Sequence, residues 1–450
     1  MPTVPENPPP MAELLVSLSR DRLVELATRS GELGAGDQYD HWSRLRYKKP
    51  PTGLSHEEWW AVLKLARRSR SQTVPLRAKD GTEFSIGLPG EALSLLHLID
   101  KNAAGNVALS EDVTGPGSRD RYILSSLIEE AITSSQLEGA STTRAVAKEM
   151  LRSGRPPNTL SERMIGNNFR AMQQVREWRH QPLTPKMVLA LQRIVTDGTL
   201  KDPSAAGRLQ RPDEERVAIW REHEAVHYPP EASELPDRLK AMCAFANAGQ
   251  PGHKNGFMHP VIRAIILHFW LAYDHPFEDG NGRTARAIFY WSMLRQGYWL
   301  AEYLTVSKIL HRAPAQYANA FLYTETDQCD LTYFALYHLR VICRAVEELH
   351  LHLKARMEII RATERLVRSN ASMNHRQIAL LSHAMRHPDD RYTIARHQRS
   401  HGVVNQTART DLLALEAQGL LVSQRIGRTM YFHPTPDLTE RLRQEGMTGR

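Results

Sequence analysis

The sequence predicts a mainly α-helical protein of several domains, and three observations carry that expectation. Residues 261–274 are apolar on nearly every face behind Pro260, the pattern of a buried helix with proline in its first turn. Thr284 to Arg295 is a second such run, stopped by Gly297. Within 121–139, Leu124, Ile128, Ala131 and Ser135 step by four, three and four, a single helical stripe that ends at Gly139. At 450 residues the chain has room for two or three domains.

The elements follow in chain order. Residues 1–35 form an N-terminal segment that is in part without fixed structure; it is rich in proline and has no Lys or Arg before Arg20, so it is not a secretory signal. Residues 36–100 read as a helical extension. They contain Tyr39-Asp40-His41-Trp42, a Lys-Lys-Pro-Pro break at 48–51, a helix opening at Glu57-Glu58-Trp59-Trp60 and running to Arg68, and a short strand pair from Val74 to Ile86 turning at Asp80-Gly81. Its tryptophans are expected to be buried anchors. Residues 101–350 form the core, which includes helix 121–139. Residues 351–369 are a charged helical connector, 370–436 a separate small domain and 437–450 a tail.

Composition narrows the classes of function. The make-up is that of an ordinary soluble domain protein, and no apolar run approaches a membrane span. The three cysteines form no Cys-x-x-Cys pair, which fits a reducing, cytoplasmic setting and argues against a disulfide framework or zinc ribbon. A net charge of +8 permits contact with nucleic acid without demanding it.

The most informative stretch is His275-Pro-Phe-Glu-Asp-Gly-Asn-Gly-Arg-Thr-Ala-Arg286, which joins the two apolar helices. Gly280 and Gly282 allow a tight turn and a close backbone approach to a ligand. The free N–H groups opening the second helix then face an anion. His275, with an ordinary pKa of about 6.5, is suited to accept a proton. Asp279 offers the hard oxygen that Mg2+ takes between phosphates. Arg283 and Arg286 share a helix face and can grip phosphate oxygens. Phe277 is expected to turn inward. Upstream, Glu138 falls on the next step of the 121–139 stripe, and a carboxylate there needs a cationic partner.

The segment 275–286 resembles in full the signature of the Fic family, whose core is a small all-helical domain. Most members with Gly where this chain has Gly282 transfer AMP from ATP to a Ser, Thr or Tyr hydroxyl of a protein. The resemblance implies that His275 deprotonates that hydroxyl and that Asp279 binds Mg2+. It implies that Gly280, Asn281 and Gly282 cradle the α- and β-phosphates with help from Arg283, and that Arg286 holds the γ-phosphate. Ser134-Ser-Gln-Leu-Glu138-Gly139 matches the family's inhibitory-helix signature, in the class that carries it on the N-terminal side of the core. Its implied consequence is self-inhibition, with Glu138 pairing to Arg286. In some proteins of this class the same Glu helps to remove AMP.

Further positions follow. Arg216 to Trp220 alternates like a strand, and the resemblance makes Val217, Ala218, Ile219 and Trp220 a β-hairpin flap that holds the target in extended form. His223-Glu-Ala-Val-His227 fits the His-Glu-x-x-His zinc pattern, but Pro229-Pro230 follow at once and a long helix does not fit. Tyr317 and Tyr323 fall where the family supplies adenine contacts, with Tyr317 the stronger candidate. Asp330 is the expected cap of another core helix. Residues 374–433 resemble a winged helix-turn-helix, with helices at 374–385, 393–401 and 405–418 and a hairpin turning at 426–428. Gln406, Arg409, Arg425 and Arg428 suit a DNA contact, although such modules also bind proteins or form homodimers. The sequence thus predicts a cytoplasmic adenylyltransferase that uses ATP and Mg2+, acts on a protein and modifies itself. The alternatives are AMP removal, transfer of another nucleotide, and a DNA-binding or scaffold regulator.

Overall fold

The structure, a computed structural model, describes residues 5–33, 38–104, 116–216, 218–221, 224–248, 257–368, 373–386, 390–426, 429–438 and 440–442. Val217, His223 and Arg428 lie outside the described residues. The chain forms two compact units, Met1–Leu349 and His350–Arg450. Most of the described residues are helical, and each of the three two-stranded sheets among them is a local hairpin.

The first unit is built around the helix Pro260–Asp274, here the approach helix. Pro260 occupies its first position, and the His259 ring caps it by accepting the Val261 N–H at 3.3 Å. Every residue from Val261 to Asp274 except Ala272 is buried. Its partner, the exit helix Asn281–Arg295, is buried from Arg283 to Leu294. The exit helix ends two residues before Gly297, whose φ of 86° lets the chain reverse. Two helices that are apolar all round need cover on every side. Leu160–Glu177 and Pro185–Thr196 supply part of it, each opened by a threonine cap, with Thr159 accepting from Glu162 and Thr184 from Met187.

A further helix, Pro116–Leu137, packs against Leu160–Glu177 and carries Glu138 just beyond its end. We call it the gate helix. Its buried cluster joins Ile128, Ala131 and Ile132 to Ala147, Met150 and Ile165. Leu124 departs from the expected stripe, since 41% of it is exposed. At this end of the gate helix the packed face runs through Ile123 and Leu127, which are buried, and Leu124 falls to the solvent side of it.

In the N-terminal extension, Ser55 and Glu58 form a reciprocal capping box on the helix His56–Arg68. Trp60 and Trp42 are buried and meet edge to face with centroids 6.1 Å apart. The strands Ser71–Arg77 and Glu83–Gly87 pair antiparallel, and Gly81 takes φ 86° in the turn. Ser85 exchanges backbone hydrogen bonds with Cys329 and Leu331, which fixes the hairpin to the core. Asp330 then accepts the Thr332 N–H at 3.0 Å, where the helix Thr332–Arg368 begins.

The second unit contains the helices His375–Arg386, Ile394–His401 and Asn405–Ala417, then the antiparallel strands Leu421–Ile426 and Thr429–Pro434. Thr393 caps its second helix, and Gly402 in the left-handed region ends it. Leu381, Leu412, Leu415, Leu420 and Phe432 form its core.

Candidate functional site

The approach helix breaks at His275, which sits at φ 44°, ψ 53°, a left-handed conformation unusual for a residue with a side chain. Phe277, two residues beyond the break, is buried completely. The side chain of Asn281 ties the turn back to the backbone of Phe277 through both of its polar atoms. Its Oδ1 accepts the Phe277 N–H at 3.0 Å and its Nδ2 donates to the Phe277 carbonyl at 2.8 Å. The amide is therefore committed to the loop, and only the backbone N–H of Asn281 is placed to meet a ligand. Gly280 takes φ 83° and packs so tightly on Val195 and Thr196 that a Cβ has no space. The exit helix begins at Asn281, so Gly282 stands within its first turn.

Scaffold contacts hold this turn. Gln192 donates to the Asp279 carbonyl at 3.1 Å, and the Gln210 N–H donates to the Pro276 carbonyl at 2.9 Å. Arg216 donates to the Asp274 carbonyl at 2.7 Å and to the Pro230 carbonyl at 2.8 Å. Arg238 pairs with the buried Asp274 carboxylate at 2.7 Å.

The two arginines of the motif have different surroundings. Arg283 is fully buried; it donates to the Val195 carbonyl at 2.7 Å and to Asp279 Oδ2 at 3.0 Å. Asp279 Oδ1 accepts the Gly280 N–H at 2.5 Å. Arg283 thus braces the turn from within, and a phosphate grip by its guanidinium does not match this placement. Sequence spacing put it on one face with Arg286, but the partners of its guanidinium are its own turn and the neighbouring helix Pro185–Thr196. Arg286 reaches the gate helix. Its Nε donates to Ser134 Oγ at 2.8 Å, and its Nη2 donates to the Ser134 carbonyl and to Glu138 Oε1, each at 2.9 Å. Burial opposes its charge, but Glu138, Tyr317 and Glu130 outweigh that and hold the guanidinium charged.

The Glu138 carboxylate lies directly over Gly282, in space that a Cβ there would fill. An internal carboxylate therefore occupies the N-terminal turn of the exit helix, where free N–H groups and the helix dipole favour an anion. Ser135, on the expected stripe, instead donates to the Met164 carbonyl at 3.3 Å.

Glu138, His275, Gly282, Arg286 and Tyr317 line one cavity of roughly 330 Å3, together with Ile219 of the strand Ile219–Arg221. This is the scale of a small-molecule site. Burial pushes the His275 imidazole down to about 4. It is neutral at pH 7, but a weaker base than an exposed histidine. Its Nδ1 lies 3.4 Å from the Ala272 carbonyl, a contact in which the ring must donate, leaving Nε2 as the acceptor. Tyr317 Oη bonds His268 Nε2 at 2.9 Å. Tyr323 lies elsewhere, stacked on His41 with centroids 4.5 Å apart.

Two buried groups have surroundings that sequence reasoning did not foresee. His227 faces the cavity with Nδ1 2.7 Å from Glu325 and Nε2 2.7 Å from the Tyr273 carbonyl. No local pattern joins residues so far apart. Glu130 is buried and bonds Ser307, and burial raises its carboxyl above the usual range. It stands four residues before Ser134 and eight before Glu138, a helical spacing that could have singled it out. The run Glu224–His227 is a strand paired with Ile219–Arg221, which rules out the two-histidine helix that zinc-protease chemistry needs. Among the described residues no group of three or more His, Cys, Asp or Glu is arranged to hold a metal. Nor is any described helix long and apolar enough to cross a membrane.

Residues 182–293 match the family model described as the Fic/DOC family. Curated relatives named protein adenylyltransferase Fic match shorter stretches. The one from Culex quinquefasciatus is 38% identical over 72 residues, 16% of this chain and 14% of the relative. The one from Drosophila mojavensis is 31% identical over 116 residues, 26% of this chain and 20% of the relative. The matched part thus spans a fifth or less of these relatives. A crystal structure of a Fic family protein from Desulfovibrio desulfuricans superposes with a TM-score of 0.52 at 19% identity, over 77% of this chain and 96% of that one. That likeness is one of fold.

Proposed function

We propose, from the match of residues 182–293 to the Fic/DOC family model, that the chain is a protein adenylyltransferase held in a self-inhibited state by Glu138. The observation that carries this reading is the Glu138 carboxylate seated over Gly282 and paired with Arg286 at 2.9 Å, an anion standing where a nucleotide's phosphates would lie.

Displacing Glu138 frees the Arg286 guanidinium and the exit-helix N–H groups for ATP. A Ser, Thr or Tyr hydroxyl of a target protein then enters between His275 and the α-phosphate. Its oxygen bonds to the α-phosphorus, its proton passes to His275 Nε2, and the bond to the β-phosphate oxygen breaks to release pyrophosphate. The enzyme's contribution is position and charge neutralisation. Asp279, half-exposed at 48%, is the carboxylate that suits Mg2+, an ion that takes one or two protein oxygens beside substrate phosphates. When bound, the ion would neutralise phosphate charge. Tyr317, which lines the cavity, is the residue assigned in this reading to stack on the base of the nucleotide. Ala218, Ile219 and Trp220 belong to the hairpin segment proposed to hold the target backbone.

The test is label transfer from α-32P-ATP with Mg2+ to the protein itself and to lysate proteins. Strong label with Glu138→Gly, weak label with wild type and none with Glu138→Gly/His275→Ala is the expected pattern. No label from Glu138→Gly overturns the reading in favour of AMP removal, another nucleotide or a binding role.

A second reading concerns the second unit. Gln406 and Arg409 are exposed on its third helix, and Arg425 on the strand that follows. This favours contact with nucleic acid phosphates. Affinity for duplex DNA that falls with rising salt supports it, and salt-independent or absent binding removes it.

A further inference from the structure

The approach helix stops abruptly at His275, and a helix end leaves carbonyls without donors. Pro276 has no N–H to give, and the Phe277 N–H is taken by Asn281, so the carbonyls of Ala272 and Tyr273 find no donor one turn ahead. Side chains meet the last three carbonyls instead. His275 meets that of Ala272, His227 Nε2 lies 2.7 Å from that of Tyr273, and Arg216 donates to that of Asp274 at 2.7 Å. A carbonyl only accepts, so Nε2 of His227 is a donor. Arg216 and His227 flank one hairpin. Arg216 precedes the strand Ile219–Arg221, and His227 ends the strand Glu224–His227 that pairs with it. Both feet of the hairpin are thus fastened to the helix end that carries His275.

The His227 ring is itself braced. Its Nδ1 is 2.7 Å from Glu325 Oε2, on the helix Pro314–Thr326, and its centroid is 4.7 Å from that of the Tyr273 ring. The side chains of His227 and Glu325 are 6% and 20% exposed, so water competes little for this bond. One imidazole therefore ties a strand to two helices. Across the hairpin, His227 is the register partner of Ile219, which lines the His275 cavity.

We propose that His227, braced by Glu325, is a positioning residue that fixes the strand Ile219–Arg221 relative to His275, so that a target backbone laid on that strand brings its hydroxyl to the base. The effect on transfer rests on the adenylyltransferase reading; the clamp itself needs no nucleotide. A histidine that only filled space could be exchanged for phenylalanine, which keeps a ring against Tyr273 and loses both hydrogen bonds.

His227→Phe, Glu325→Ala and Glu325→Gln, each placed in Glu138→Gly, separate the two roles. Label transfer from α-32P-ATP to lysate proteins is measured beside hydrogen–deuterium exchange at the amides of Ile219–Arg221 and Glu224–His227. Misplacing a reacting group by about 1 Å can cost about 100-fold in rate. His227→Phe and Glu325→Ala should each lower transfer at saturating ATP by about 10-fold, leave KM for ATP nearly unchanged and speed exchange in the hairpin. Combined, they should do no more than either alone. Glu325→Gln should keep most of the transfer, because an amide both donates and accepts and so bonds Nδ1 with or without its proton. Unchanged exchange or full transfer in His227→Phe overturns the proposal. So does a KM for ATP that rises as transfer falls, or a loss in Glu325→Gln as deep as in Glu325→Ala. A Glu138→Gly parent without label removes the transferase reading instead, and exchange alone then decides the clamp.

Discussion

Arg283 and Arg286 stand one helical turn apart, both buried, yet they belong to different mechanical regions. Arg283 closes on its own loop and on the neighbouring helix, through Asp279 and the Val195 carbonyl. Arg286 closes on the gate helix, through Ser134 and a Glu138 whose side chain is 31% exposed. A guanidinium tied to its own turn is part of the scaffold. One tied to a partly solvated carboxylate at the end of another helix can change partners, because water can take up the released carboxylate. The difference lies in where the counter-ion is anchored, and depth of burial does not reveal it.

Five measurements would break or sharpen that contrast. The largest effect is expected at the base. Placed in the Glu138→Gly background, His275→Ala should lower AMP transfer by about 10²–10⁴-fold while nucleotide affinity stays near the parent's; retained transfer would remove His275 from the chemistry. Next is Arg283→Ala, which leaves Asp279 and the Val195 carbonyl without their donor and should cost about 3–5 kcal/mol in urea unfolding. Arg286→Ala should cost less, since Glu138 can turn to solvent, but should abolish productive use of ATP. Equal stability losses for the two would erase the distinction between them. Third, Glu138→Gly should raise transfer about 5- to 150-fold, the usual span of a coupling between sites. An unchanged rate would mean that the gate is open in solution.

Acid should bear on the Arg286 side. Burial holds His275 at about 4 and His268 well below the ordinary range. Unfolded, each titrates near about 6.5. Between these values the unfolded chain binds more protons than the folded one, so stability falls as the pH drops from 6.5 towards 4. Each histidine contributes about 1.4 kcal/mol per pH unit. Urea midpoints at pH 7, 6 and 5 check this, and a flat profile would contradict the burial of both rings. The smallest effect is Ser134→Ala, which removes one of three contacts to Arg286 and should raise transfer a few-fold, at a cost of about 1 kcal/mol in stability. A rate matching Glu138→Gly would shift the gate's hold from the carboxylate to the hydroxyl.

Helical character was legible because the two helices at 260–295 are apolar on every face, and a pattern that strong leaves few alternatives. The turn was legible because its residue types are chemically uncommon in combination. Direction was not legible. Spacing put Arg283 and Arg286 on one face, but which partner each finds depends on what packs against that face, which only tertiary packing decides. Asn281 likewise reads as a ligand contact until its amide is seen to close the loop on Phe277. The gate helix shows the limit of stripe reading. Leu124 fits the period and yet is exposed, while Glu130, off that stripe, is buried on Ser307. His227 and Glu325 meet across about a hundred residues of chain, and no local signal could have joined them.

The missing side chain at position 282 makes the landscape of single substitutions asymmetric. A methyl group there would evict Glu138 and crowd the approach of any phosphate at the same time, so release and damage would arrive together. At position 138 a truncation releases without obstructing. Random mutation could therefore switch this molecule on through the gate more readily than through the turn, and hyperactive variants in an unbiased screen should cluster in the gate helix.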